Sequence, residues 1–251
     1  MIRPVTATAA LLRAPNPSPM TLSGTNSWVL RAQGAATSVV VDPGPDDAAH
    51  LATLAETAPE LILITHHHND HTGGAARLHE LTGASVRAFD PAQCLGAAPL
   101  AGPITAAGLT IDVLPTPGHT ADSVCFDLGD AVVTGDTILG EGTAVIAAPD
   151  GSVGPYLASL RLLRERGRRR AVLALPGHGP VRPDLAATAA AYLDHRAQRL
   201  DQIRTALARL GADAGTGAVT DAVYPDVTGP LRTAAEWSVA AQLEYLRGGP
   251  P

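Results

Sequence analysis

The stretch Thr65 to His71 reads THHHNDH, which through His66, His68, Asp70 and His71 is H-x-H-x-D-H. Three imidazoles and a carboxylate in so short a run form a donor set for a first-row metal ion, and these ligand types suit zinc. Three more donors stand in similar settings: His119 in LPTPGHT, Asp136 in VVTGDT and His178 in LPGHGP. Five histidines and two aspartates are enough for two metal ions joined by one carboxylate. A bound zinc lowers the pKa of water towards about 7 and polarises an electrophile, so hydrolysis would need no serine or cysteine nucleophile.

The elements around the donors must deliver them to one point. LILIT, ending at Thr65, reads as a buried strand, and TGGAARLHEL as a helix over Ala75 to Leu81. Each remaining donor likewise ends an apolar run and lies in a Gly-rich loop, where small residues allow tight bends. Further strands are predicted at Ser27–Leu30, Ser38–Val41, Val86–Phe89, Leu109–Leu114, Ser123–Leu128, Ala131–Thr134 and Ala171–Leu175. Helices are predicted at Asp47–Glu56 and Pro155–Arg166, and residues 1 to 22 read as an extended lead-in. Strands, helices and hairpins alternate, which excludes a purely parallel sheet and suits two mixed sheets with helices outside. After Pro183 the chain turns rich in Ala, Leu and Arg, predicting one long or two shorter helices to Leu210, a short element near Val219–Val223 and a helix over Thr233–Arg247.

With these residues in view, the chain resembles the metallo-β-lactamase-fold hydrolases from about Asn26 to Pro180. The strings TNSWVL, VDPGP, LITHHHNDHTGG, TPGHT, GDTILGEGT and PGHGPV are most similar to the lactamase-beta-2-like branch. The later Y-x-x-H-R-x-x-R pattern of Tyr192, His195, Arg196 and Arg199 extends the likeness. The resemblance implies an α+β fold, an αββα sandwich over residues 1–182, and a small helical, winged-helix-like cap over 183–251. It implies that His66, His68 and His119 hold one zinc, that Asp70, His71 and His178 hold a second, and that Asp136 bridges them. A hydroxide shared by the ions would then attack, with Asp70 as catalytic residue orienting it or moving a proton. The branch is associated with cleavage of single-stranded RNA, which makes RNA or a small molecule the expected substrate. A glyoxalase II-like thioester hydrolase and an iron-dependent persulfide dioxygenase share much of the motif and stand as alternatives.

Other residues carry two readings each. Asn26 matches the TN pair near the site or stabilises a loop. Thr72 opens a helix with Gly73 and Gly74, where free N–H groups could meet an anion. Glu141 lines the pocket or makes a turn, and His195 binds substrate or packs. The ring of His67 should point away from its neighbours, while His50 and His79 are expected on helix surfaces. All 18 basic residues are Arg, so a lysine nucleophile is excluded. A net charge of -6 gives no global attraction to duplex DNA. The one dense basic run, Arg161 to Arg170, reads as a solvated helix end. Cys94 and Cys125 make no metal or disulfide pattern, and no export signal or membrane-length apolar run is expected, which points to the cytoplasm. The oligomeric state stays open.

Overall fold

The computed structural model describes residues 1–248. Its first sheet has six strands in chain order: β1 (Arg3–Pro4), β2 (Ala9–Arg13), β3 (Asn26–Leu30), β4 (Ser38–Val41), β5 (Pro59–Leu63) and β6 (Ser85–Arg87). The second has five, in the order β11-β10-β9-β8-β7: β7 (Ile104–Ala106), β8 (Leu109–Pro115), β9 (Val124–Asp127), β10 (Ala131–Gly135) and β11 (Leu173–Pro176). Both sheets are mixed. β4, β5 and β6 run parallel, as do β10 and β11, and the other pairs are antiparallel.

The period of two along a strand decides the layers. Val39, Val41, Leu61, Leu63 and Val133 face inward and meet Trp28, Phe126 and Ile111 between the sheets. Val40 and Ile62, one residue out of phase, point outward to Leu51, Leu54 and Leu78 of helices α1 (Ala48–Ala55) and α3 (Ala75–Thr82). Val132 and Ala174 do the same on the other sheet, against Tyr156, Leu160 and Leu185 of α4 (Val153–Arg168) and α5 (Leu185–Leu210). Strands apolar on both faces are what such a sandwich requires. Each fully buried Leu, Val or Phe contributes about 1.5–3 kcal/mol. The result is the αββα sandwich.

The lead-in does more than extend. β1 and β2 form an antiparallel hairpin that joins the first sheet, with β2 paired to β3 along its length. Leu11 and Leu12 fill opposite faces there, a two-residue periodicity that the surrounding prolines hid. A one-turn helix, α2 (Asn69–Thr72), replaces the expected loop. His50 is buried rather than on a surface, because α1 packs its first turn as well as its apolar stripe against the sheet. Its Nε2 lies 2.9 Å from Ser27 Oγ. His79 is half-buried, with Nδ1 on the Ala84 carbonyl.

The C-terminal segment is helical: α5, α6 (Thr216–Val223) and α7 (Pro230–Gly248). No strand follows β11 among the described residues. The first half of α5 shares the core of α4, whereas Ile203, Ala206, Val219, Val239 and Leu243 form a small core of their own. No helix among the described residues is long and apolar enough to cross a membrane.

The basic run, in the second half of α4 and just beyond it, is exposed at Arg161, Arg168, Arg169 and Arg170, while Arg166 is engaged within the fold. Arg166 pairs with buried Asp127 through both nitrogens and donates to the Gly129 carbonyl at 2.8 Å, closing the β9–β10 turn. Removing one partner of such a pair leaves a buried charge alone. Arg166→Ala should therefore cost about 3 kcal/mol in urea unfolding. Arg169→Ala, which breaks only a surface pair to Glu165, should stay within about 0.5 kcal/mol. Equal losses in the two variants would contradict this assignment.

Candidate metal centre

Four strand ends and one turn of helix supply the donors. β5 runs through Ile64 and Thr65 into His66 and His68, and α2 then turns Asp70 and His71 back towards the same point. His119 follows β8, Asp136 follows β10 and His178 follows β11. Backbone bonds tie these ends together: Val124 N–H to Thr65 O at 2.9 Å, Gly177 N–H to Gly135 O at 2.8 Å, and Asn26 N–H to Gly177 O at 2.7 Å. Two glycines are required by space. A Cβ at Gly118, whose φ is +140°, would lie 2.3 Å from Tyr156 Cα, and one at Gly177 would lie 2.5 Å from Asp136 Oδ1.

All seven donors named from the sequence converge. His68 Nδ1 lies 3.1 Å from both His66 Nε2 and His119 Nε2. His71 Nε2 and His178 Nε2 are 3.2 Å apart, and Asp70 Oδ2 is 3.1 Å from His178 Nε2. Asp136 lies between the two groups, with Oδ2 3.4 Å from His178 Nε2 and 3.8 Å from His119 Nε2. Three sets of donor atoms, each within 4.8 Å, could hold a metal ion: His66, His68 and His119; His66, His71 and Asp136; and Asp70, His71 and His178.

On His119, His71 and His66 the outward ring nitrogen is already engaged, which leaves the inward one to the centre. His119 Nδ1 donates to the Val145 carbonyl at 2.8 Å. The Nδ1 of His71 donates to Asp42 Oδ2 at 2.8 Å. Asp42 also accepts from the Thr65 N–H at 2.8 Å and the Thr65 hydroxyl at 2.7 Å. The hydroxyl oxygen is thereby left to accept from His66 Nδ1, 3.0 Å away. One fully buried carboxylate thus orients two rings.

Electrostatics favour a cation here. Burial disfavours charge on Asp136, but His71 and His178 outweigh it and hold the carboxyl well below its usual range. Its Oδ1 is nonetheless buried without a hydrogen-bond partner. Burial likewise opposes charge on His178, yet Asp136 and Asp70 raise it to about 9, and Asp136 and Asp42 raise His71. His66 and His68 go the other way. Burial, followed by neighbouring imidazoles, lowers both, His68 to about 4, so they keep a lone pair free. An orphaned carboxylate oxygen amid imidazole nitrogens that converge on one point fits a metal centre.

The remaining residues fall in different places. Asn26 is buried, and its amide donates to the carbonyls of Pro176 and Gly179, both at 2.9 Å, clasping the His178 loop. Thr72 hydroxyl donates to the His68 carbonyl at 3.1 Å. Glu141 is exposed. His67 turns out of the donor groups to Asp122, at 2.9 Å, and lies on the rim. His195 lines a different hollow, behind Val145. Sequence reading passed over Asp42; a carboxylate ending the run SVVV was the available signal. It also missed the cleft wall. A space of about 350 Å³ opens over His68, Asp70, His119 and Asp136, walled by Met20, Val145, Ala147, Ala148, Pro149 and Trp237. Trp237 comes from α7, so the C-terminal segment borders the cleft.

Comparison with known proteins agrees with this geometry. The family model of the metallo-beta-lactamase superfamily matches residues 20–111. The chain is 31% identical over 256 residues to the beta-lactamase-like protein 2 homolog of Drosophila melanogaster, covering 92% of this chain and 85% of that one. It is 32% identical over 225 residues to an atrochrysone carboxyl ACP thioesterase of Aspergillus fumigatus, covering 82% and 69%. The crystal structure of a metallo-beta-lactamase family protein from Thermus thermophilus superposes with a TM-score of 0.78 at 23% identity, covering 97% of each chain. The chain spans only 59 to 69% of the length of the fungal relatives it matches. This chain belongs to the metallo-β-lactamase superfamily.

Asp42→Asn keeps the shape but removes the charge that orients His71 and, through Thr65, His66. It should weaken metal retention about 10- to 100-fold in chelator competition. His67→Ala should leave retention unchanged. Wild-type retention in Asp42→Asn, or a loss in His67→Ala as large as in His68→Ala, would contradict this arrangement.

Proposed function

We propose that the chain is a binuclear zinc hydrolase that cleaves thioesters or esters with an apolar acyl group. The observation that carries this reading is the cleft wall. Six apolar side chains face the donors across it, and no arginine is among its lining residues. Asp150 and His67 at the rim add no fixed positive charge. A phosphodiester backbone is held mainly by Lys and Arg contacts to phosphate. That weighs against the single-stranded RNA substrate implied by the branch resemblance. The name of two fungal relatives, atrochrysone carboxyl ACP thioesterase, supports a thioester.

In this reading His66, His68 and His119 would hold one ion and Asp70, His71 and His178 the other, with Asp136 available to both. When bound, such ions supply an acidified water as nucleophile and a Lewis acid for the carbonyl. The chain's own residues do the rest. Met20, Val145, Ala147, Ala148, Pro149 and Trp237 bind the acyl group and exclude bulk water from the reacting carbon. Asp70 lines the cleft with Oδ2 among the donors, 3.1 Å from His178 Nε2, leaving Oδ1 to take the proton of the attacking water. Water adds to the acyl carbon, the C–S or C–O bond breaks, and the proton held at Asp70 passes to the departing thiolate or alkoxide. Asp42 and Thr65 fix the imidazoles and take no proton in the cycle. Trp237 and Met20, 49% and 48% exposed, offer the acyl group apolar surface that water now covers.

A panel of acyl thioesters of increasing length, S-lactoylglutathione, a β-lactam and an unstructured RNA tests the reading on zinc-loaded protein. Each added methylene held by the wall should raise kcat/KM about three- to fourfold. Trp237→Ala should flatten that gradient, and Asp70→Asn should lower kcat at least a hundredfold with the fold intact. Cleavage of RNA by wild type but not by identically purified Asp136→Ala, with thioesters untouched, would establish the RNA reading instead. Iron rather than zinc on isolation, with oxygen consumed on a persulfide, would establish the dioxygenase.

A further inference from the structure

A second hollow, of about 250 Å³, lies behind the cleft, between α5, α7 and the segment Thr143–Val145. Its walls are apolar at Val145, Tyr224, Val227, Leu231, Ala234 and Ala235, and it is lined as well by His195, Arg196 and Arg199. No carboxylate is among its lining residues, and none of these three basic groups has an ion-pair partner among the described residues.

Arg196 is the informative residue. It is only 4% exposed. One nitrogen donates to the Ala144 carbonyl, and the guanidinium stacks 5.2 Å from the Tyr156 ring centroid. Its Nε is buried with no acceptor at all. An unpaired buried cation is costly, and a desolvated cation–π contact returns only part of that cost. Arg199 stands one turn along the same face of α5, stacked 4.6 Å from the Tyr224 ring. The Nδ1 of His195 is likewise buried without a partner. Burial, then Arg196 and Arg199, lowers the pKa of His195, and no carboxylate counters them. Every group that perturbs this ring is therefore cationic or apolar.

A purely structural role accounts for the Ala144 bond and the aromatic stack. It does not account for two guanidiniums and an imidazole gathered without an acid in a chain whose net charge is -6. We propose that this hollow is a second ligand site, taking a compact organic anion, a carboxylate or monophosphate on an apolar body. Arg196 and Arg199 hold the anionic head and the Tyr224, Val227 and Leu231 side holds the body. The site is independent of the bond cleaved at the metal centre. It adjoins that centre through Val145, which lines both spaces and whose carbonyl accepts from His119.

Calorimetric titration of zinc-loaded protein with phenylacetate, phenyl phosphate and neutral phenol tests the proposal, with a crystal of the phenylacetate complex to locate the head group. Both anions should bind, and phenol at least tenfold more weakly. Arg199→Gln, on a half-buried side chain that the fold can lose, should weaken both anions at least tenfold. Arg196→Gln should weaken them more in a variant with a wild-type melting profile. The carboxylate should lie within hydrogen-bond reach of Arg196 or Arg199. Absence of saturable binding, equal affinity for phenol, unchanged affinity in Arg199→Gln, or a carboxylate seated only among His68, Asp70 and His119 would each overturn it.

Discussion

Asp136 is a charged carboxylate set between two groups of imidazoles, with one buried oxygen that no hydrogen bond reaches. Burying such a charge costs several kcal/mol unless cationic charge sits beside it. Much of the local structure serves that requirement. β10 delivers the aspartate, β5 and β11 deliver imidazoles from either side, and glycine at position 177 leaves the room the carboxylate needs. The outward ring nitrogens are tied to Asp42, Thr65 and the Val145 carbonyl, so the inward ones have no alternative partner outside the centre. The sandwich is the rigid frame that keeps these strand ends at one edge, where its two sheets are hydrogen-bonded to each other.

The local and the distant parts of this arrangement were not equally legible. His66, His68, Asp70 and His71 announce themselves because one strand end and one helical turn place them, and sequence spacing encodes both. His119, Asp136 and His178 were legible because each follows an apolar run and lies among glycines. The two-layer core could be read from strands apolar on both faces, such as SVVV and LIL. Asp42 escaped because its role lies in a contact with His71 across 29 residues, while its own neighbours spell a turn. Met20 and Trp237 escaped for the same reason: only the folded chain sets the N-terminal loop and α7 on opposite sides of one cleft. The β1–β2 hairpin was hidden by prolines, which the outer strands of a sheet tolerate. Conversely, Asn26 was marked by its match to a motif, and its amide is engaged by the carbonyls of the His178 loop.

The cleft and the metal centre make different demands on a substrate. In the proposed reading, ions held at the centre would polarise a carbonyl and a phosphoryl group alike. Discrimination falls to the wall, and the wall is apolar. The C-terminal helices therefore matter to function through what they set beside the centre: Trp237 on one side of Val145, and Arg196 with Arg199 on the other. A substitution in α7 could change selectivity without touching a metal donor.

The proposed chemistry requires two ions that share Asp136. Zinc-edge anomalous diffraction from crystals of zinc-loaded protein measures this most directly. The account predicts two peaks roughly 3.5–4 Å apart. One should lie among His66, His68 and His119, the other among Asp70, His71 and His178, with the Asp136 carboxylate reaching both. A single peak at full zinc loading, with Asp136 turned away from it, would contradict the account.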